Sequence, residues 1–364
     1  MKNKLYSTEK EKEKVFLVSI SVNKEFDPEE SLIELESLAQ AANFEVVGSL
    51  MQNTNQPSVQ YLIGTGKLEE LKAEVDRLDP DVVIFDNELS GMRLKNLENF
   101  LDCKVIDRSM LILDIFANRA ISSEGKLQVQ LAQLKYSMPR LMGLTSSNNK
   151  YGGGVGMRGP GETKLELDRR KITGEVEKVE KRLRELEKQR DLTRKNRVQS
   201  SIKNVALVGY TNSGKSTLLN SLTKANILAK DMLFATLDTT SRNLYLGDGK
   251  QIIVTDTVGF VSRLPHELIE AFKSTLKETI DADLLVIVVD GASDRAEVEL
   301  EIVFNVLKEL GADKKPSIVA INKKDKGLKC PTVKEKYSNT IEISAKNNVN
   351  LDKLKDEISK MLFK

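Results

Sequence analysis

Short apolar runs alternate with amphipathic stretches along the first third of the chain. Val15 to Val22 alternates like a strand, Ser31 to Ala42 carries Leu32, Leu35 and Leu38 at helical spacing, and Phe44 to Leu50 is strand-like. Leu68 to Leu78 is amphipathic, Asp81 to Phe85 is a buried-type strand, and Leu94 to Leu101 reads as a helix. Lys104 to Asp107 is a strand again, before a helical Met110 to Ala120. Strands alternating with helices predict a small α/β domain with a largely parallel sheet, assigned to residues 1–122. Within it, Ile63-Gly64-Thr65-Gly66-Lys67 looks like a phosphate loop. It lacks the earlier glycine and the Ser/Thr after Lys67, so it reads as a turn and helix start.

The pattern changes over 123–199. Leu127, Leu131, Leu134, Met138 and Leu141 follow a four-three spacing, and Ile172, Val176, Val179, Leu183 and Leu186 repeat it. Two short seams of this kind predict an antiparallel helical hairpin. Between them, Tyr151 to Glu162 holds six glycines in twelve residues, too few side chains for a core. A tip loop over about 142–163, with Arg140, Lys150 and Arg158 near it, suits insertion into RNA. The second helix carries thirteen Lys/Arg against eight Asp/Glu from Lys164 to Gln199, an excess that favours phosphate contacts or simply solvates the helix.

From residue 200 the pattern is that of a doubly wound α/β domain, 200–364. The apolar run Val205 to Val208 leads into Gly209-Tyr210-Thr211-Asn212-Ser213-Gly214-Lys215-Ser216, followed by a helix-compatible stretch from Thr217. This is the phosphate-binding loop G-x-x-x-x-G-K-[ST] in its strand–loop–helix context. Its N–H groups point at phosphate, Lys215 neutralises the β/γ oxygens, and Ser216 offers a hydroxyl to Mg²⁺. A second apolar strand ends in Asp256-Thr257-Val258-Gly259. There Asp256 would hold Mg²⁺ through its water shell and the Gly259 N–H would bind the γ-phosphate. A third strand ends in Asn322-Lys323-Lys324-Asp325. A buried Asp325 carboxylate accepts from guanine N1–H and its exocyclic amine, which adenine cannot match, so the nucleotide is GTP. Lys323 lies across the base and Asn322 braces the loop. Ser344-Ala345-Lys346 follows a short strand, with the Ala345 N–H expected on guanine O6.

Phe234-Ala235-Thr236-Leu237-Asp238-Thr239-Thr240 is the expected mobile loop that supplies a second Mg²⁺ threonine, and spacing alone does not choose among its three. Phe260 stands where Ras-like enzymes carry the glutamine that orients water, so slow intrinsic hydrolysis is expected. Asn212 is a candidate ligand for K⁺ beside the phosphates; the alternative is an asparagine satisfying the loop's own backbone.

Composition adds bounds. The 364 residues allow two or three domains, and 40% hydrophobic with 30% charged residues is a soluble, globular balance. Cys103 and Cys330 stand alone, which points to a reducing compartment without a cysteine metal site. No apolar run is long enough to span a membrane and the charged N-terminus lacks a signal-peptide core, so the expected location is cytoplasmic. A net charge of +2 does not argue for nucleic acid by itself. His266 is the single histidine and reads as a surface or packing residue.

Gly152-Gly153-Gly154-Val155-Gly156, Arg158-Gly159-Pro160-Gly161-Glu162-Thr163 and Asp168-Arg169-Arg170 resemble the signature of HflX, the ribosome-associated GTPases. So do Val105-Ile106-Asp107-Arg108, Leu113-Asp114-Ile115-Phe116 and Leu264-Pro265-His266-Glu267-Leu268, so that the resemblance spans roughly 15–364. It implies GTP hydrolysis stimulated by ribosomes, and binding of a monomer to the large (50S) subunit. The glycine loop would reach rRNA at the peptidyl-transferase centre, and stalled or idle ribosomes would be split, notably under heat stress. It also implies that Thr236 is the Mg²⁺ threonine. Thr239 departs from the family's usual proline, and Phe260 fits the family. The competing readings are a GTPase switch in ribosome assembly or on another RNA, a GTP-driven enzyme with a second site, and a scaffold with structural GTP.

Overall fold

The computed structural model describes residues 12–146, 160–198, 202–223, 233–234, 239–247, 249–263 and 273–363. The chain divides into two compact units, 1–115 with 136–172, and 116–135 with 173–364.

In the first unit β1 (Lys14–Val22), β2 (Glu45–Thr54), β3 (Val82–Phe85) and β4 (Lys104–Asp107) form a parallel sheet in the order β2-β1-β3-β4. The crossovers are α1 (Pro28–Ala41), α2 (Thr65–Leu78) and α3 (Gly91–Leu101), and α4 (Arg108–Arg119) follows β4. α1 starts earlier than its leucine spacing predicts because Asp27 caps it, accepting from the Glu29 N–H, with Pro28 at the first helical position. Gly64 is the residue before α2 and its N–H bonds the Gln52 side chain, so the glycine-lysine stretch is a helix start, as its missing glycine predicts. Phe16, Val18, Ile20, Val83, Phe85 and Leu71 fill the core between sheet and helices.

A buried polar cluster lies at the carboxyl ends of these strands. The Arg108 guanidinium bonds Asp86 at 2.8 Å and Glu34 at 3.1 Å, and Ser19 and Ser31 donate to the same Asp86 carboxylate. Beside it, Asp107 accepts from Tyr136 Oη at 2.7 Å, from Arg140 at 2.6 Å and from the Leu89 and Met110 N–H groups. Burial pushes the Tyr136 phenol well above its usual range. Arg140 also donates to the Leu89 carbonyl, so its guanidinium is committed to the fold. It is not the loop-side cation for RNA that the sequence suggests. Removing one member of a buried ion pair strands the other, at a cost of about 3–5 kcal/mol. Asp86→Ala is therefore expected to lower the urea midpoint by that equivalent. The chain has no Trp, so far-UV circular dichroism is the readout; a shift worth under about 1 kcal/mol would mean that Glu34 alone satisfies Arg108.

The predicted hairpin helices are α5 (Ser123–Ser146) and α6 (Pro160–Val198), and each contributes to both units. Pro160 and Gly161, expected in the tip loop, lie in the first turn of α6, where proline's fixed φ is suited and its missing N–H costs nothing. Gly152, Gly153, Gly154, Arg158 and Gly159 lie outside the described residues. The leucine seams match the buried faces only in part. Leu131 and Val179 are buried, but Gln128, Val129, Ala132 and Tyr136 complete the covered face of α5. Leu127, Leu134 and Met138 stay half-exposed. A four-three repeat marks where apolar residues recur, whereas the packed neighbours decide which of them are covered.

The rest of the second unit is a six-stranded sheet, β5 (Lys203–Gly209), β6 (Thr240–Gly247), β7 (Lys250–Asp256), β8 (Leu284–Asp290), β9 (Ser317–Asn322) and β10 (Thr340–Glu342). The order is β10-β9-β8-β5-β7-β6, parallel except for β6 against β7. Its helices are α7 (Lys215–Thr223), α8 (Lys273–Asp281), α9 (Ala296–Glu309), α10 (Pro331–Lys336) and α11 (Leu351–Leu362). β5 and β8 are apolar along nearly their whole length because both faces are covered, the habit of central parallel strands. No helix among the described residues is long and apolar enough to cross a membrane.

Candidate functional site

The carboxyl ends of β5, β7, β8 and β9 gather the motif residues, where open α/β sheets bind ligands. β5 ends at Gly209, and the loop turns into α7 at Lys215. Gly214 has a φ of +97°, and a Cβ there would lie 2.3 Å from Asn322 Nδ2. Only glycine lets the brace come this close: Asn322 Nδ2 donates to the Ser213 carbonyl at 2.9 Å. Asn212 is exposed with a φ of +61°, a left-handed conformation that asparagine tolerates better than most residues. The backbone conformation is thus one sufficient reason for an asparagine here.

Lys215 is buried and its ammonium donates to the Gly209 and Tyr210 carbonyls at 3.1 and 2.9 Å. Burial pulls its pKa down to about 8, and the nearby Asp256 carboxylate opposes the shift. Ser216 Oγ donates to Asp256 Oδ2 at 2.6 Å, so residues forty apart in sequence meet at one point. The pair supplies hard oxygen donors that fit Mg²⁺, whose other ligands would be phosphate oxygens and water. Two hydroxyls of the loop, Thr211 Oγ1 and Ser213 Oγ, are buried and bond nothing among the described residues. Orphaned buried hydroxyls beside loop N–H groups fit a site whose bonding is completed when a phosphate ligand and its water arrive.

Thr257, next to Asp256, bonds the Leu207 carbonyl through its hydroxyl, and Val258 is buried. The turn then runs onto the loop: the Phe260 N–H donates to the Gly209 carbonyl at 3.1 Å and the Thr211 N–H to the Phe260 carbonyl at 2.7 Å. Tyr210 Oη accepts from the Ser262 N–H at 2.7 Å and holds the next residues. This closure, and the Tyr210 hydroxyl in it, has no sequence motif. The Phe260 ring is buried, so it cannot position water.

At the base-recognition end, Asp325 lies in a short helical turn after β9 and faces solvent rather than being buried. Recognition acids need not be dry beforehand, since the base itself covers them on binding. The Ser344 hydroxyl donates to its carboxylate and holds it below the usual aspartate range. Lys323 is left-handed at φ +62°, and its ammonium pairs with Asp290 at 2.7 Å, which fixes the stem. Asp290 went unnoticed in the sequence, although it sits opposite Asn322 in the β8–β9 register. Lys324 turns away to Glu342. The Ala345 N–H, expected on guanine O6, instead donates to Asn322 Oδ1 at 2.9 Å, because Asn322 braces this segment as well as the phosphate loop. Of the switch loop, Phe234 is placed, buried and edge-on to Phe116 at 4.6 Å, and Thr239 and Thr240 lead into β6. Ala235, Thr236, Leu237 and Asp238, together with His266, lie outside the described residues.

A phosphate loop, an Asp-x-x-Gly turn and an Asn-Lys-x-Asp base site on one sheet edge define a P-loop guanine-nucleotide-binding protein. Residues 29–117 match the family described as GTP-binding GTPase N-terminal, 119–197 the GTP-binding GTPase middle region, and 204–323 the 50S ribosome-binding GTPase. The chain is 50% identical to GTPase HflX of Caldanaerobacter subterraneus subsp. tengcongensis, covering 98% of this chain and 82% of that one. It is 44% identical to GTPase HflX of Escherichia coli over 86% of this chain and 73% of the relative. A crystal structure of SsGBP with GDP superposes with a TM-score of 0.51 at 27% identity, covering 96% of this chain and 98% of that one. The chain belongs to the HflX family of GTPases, and it binds and hydrolyses GTP.

Proposed function

We propose that this GTPase is a nucleotide-gated factor of the large ribosomal subunit that separates the subunits of stalled or idle ribosomes, including those stalled by heat. The observation that carries the reading is the meeting of the phosphate loop with Asp256 and with the Asn322 brace, on a chain whose other regions match the GTP-binding GTPase N-terminal and middle regions. Lys215, the loop N–H groups and the Gly259 N–H hold the phosphates. Ser216 and Thr236, with Asp256 through water, would hold Mg²⁺, which would supply positive charge beside the phosphates. Asn212 is the candidate K⁺ ligand. Asp325, with Ser344 behind it, reads guanine. The γ-phosphate orders the Thr236 loop and the Gly259 turn, that state binds the subunit, and hydrolysis releases it. Residues 1–122, 123–199 and 200–364 act as three functional parts of a cytoplasmic monomer, with the glycine loop of the second in contact with rRNA.

The test is sedimentation with purified large subunits, in a non-hydrolysable GTP analogue, GDP or no nucleotide, alongside a variant lacking residues 151–161. Binding in the analogue, weaker binding in GDP and loss without the loop are expected. Equal pelleting in all three nucleotide states would end the switch reading, and unchanged pelleting of the deletion variant would end the role of the loop.

A further inference from the structure

The hydrolysis reaction needs a group that orients water, and the turn residue that often serves is here a buried phenylalanine. The surroundings of Gly259 offer another group. A Cβ built on Gly259 would lie 2.8 Å from Thr211 Cγ2 and 3.0 Å from Lys215 Nζ. The Thr211 side chain therefore stands against the turn assigned to the γ-phosphate, touching it through the methyl, with the hydroxyl on the same Cβ and the Lys215 ammonium close by. The Thr211 main chain is fixed there by its N–H bond to the Phe260 carbonyl. Its hydroxyl is buried and bonds nothing among the described residues. Ser213, the other orphaned hydroxyl, lies differently: its Oγ is 3.0 Å from where a Cβ on Gly209 would be, at the root of the loop. Buried hydroxyls are ordinarily paired, so one left open against a phosphate site points to a partner that arrives with the substrate.

We propose that Thr211 is a further catalytic residue of this GTPase, its hydroxyl accepting a hydrogen bond from the attacking water beside the terminal phosphate. The water oxygen forms the new bond to the γ-phosphorus, and the bond from that phosphorus to the β,γ-bridging oxygen breaks. The electron pair leaves with GDP, and the water proton ends on the released phosphate. Thr211 gains and loses no proton overall; it orients. The proposal rests on the phosphate-site reading above.

Thr211→Val keeps the shape and removes the hydroxyl. Because that hydroxyl bonds nothing in the described protein, its loss removes no structural hydrogen bond, and the melting temperature should hold or rise. Single-turnover GTP hydrolysis, with protein in excess, should slow about tenfold or more. Affinities for GDP and for a non-hydrolysable GTP analogue should stay within about twofold, a split that a merely structural role would not produce. Thr211→Ser should restore the rate. Unchanged hydrolysis in Thr211→Val, an equal loss of nucleotide affinity and rate, or no rescue by serine would each overturn the proposal. If Thr211→Val does not fold, Thr211→Ala and Thr211→Ser carry the same comparison. Failure of the wild-type chain to bind the analogue would overturn the phosphate-site reading itself, and the proposal with it.

Discussion

Lys215→Ala is expected to remove GTP hydrolysis and to weaken GTP binding by about a hundredfold or more. The ammonium is the one side-chain cation among the described residues of the loop, and it is held by the Gly209 and Tyr210 carbonyls at the point where phosphate oxygens arrive. Hydrogen bonds to charged groups contribute roughly 1.5–3 kcal/mol each, and one ammonium has the donors to serve two phosphate oxygens. The loss should be smaller for GDP, which lacks the γ-phosphate. Titration with fluorescent GTP and GDP, and phosphate release under single turnover, give the numbers. GTP affinity within about threefold of wild type would show that Lys215 is a structural residue of the loop. The same variant separates a switch from a scaffold, because a switch loses GTP-dependent binding to large subunits and a scaffold keeps its partner.

Asp325→Asn should move the base preference from guanine to xanthine. A carboxylate accepts from both N1–H and the exocyclic amine of guanine. An amide has one oxygen and one N–H₂, and it faces xanthine's N1–H and C2 carbonyl instead. The Ser344 hydroxyl, which donates to Asp325 now, fixes which end of the amide turns inward, since only the oxygen can accept from it. The nitrogen is then left for the base. GTP affinity should fall about a hundredfold or more, short of what a dry site achieves, because Asp325 faces water before the base arrives. XTP should gain over the wild-type value. Competition of GTP and XTP against a fluorescent analogue measures both, and a variant that still prefers GTP would show that the base is read elsewhere. Ser344→Ala in the same assay reports the orienting bond separately.

Much of the fold was legible because parallel α/β units write themselves in short apolar runs. β4 ends where its run ends, and β8 and β9 are buried on both faces, as unbroken Val, Ile and Leu require. The phosphate loop was legible for a related reason: backbone N–H groups do the binding, and the sequence must supply glycines and a lysine at fixed spacing for the chain to present them. The Asp86–Arg108–Glu34 cluster was not legible, since a charged residue inside a strand-end turn looks the same whether water or an arginine faces it. Arg140 was misjudged for that reason. Ala345 was misjudged because one N–H has several possible acceptors, and only the position of Asn322 shows which one it takes.

The sequence by itself determined the order of strands and helices along the chain, the class of the nucleotide and the motifs that mark its site, because local spacing and chemistry act within a few residues. Tertiary structure alone decided which distant groups meet. It brought Ser216 to Asp256, set Phe260 back onto Gly209 and Thr211, tied Lys323 to Asp290 and left the Thr211 side chain against Gly259. Those meetings, the last of them made by the Thr211 methyl rather than its hydroxyl, depend on strand register and packing, which the whole chain sets together and which no short motif contains.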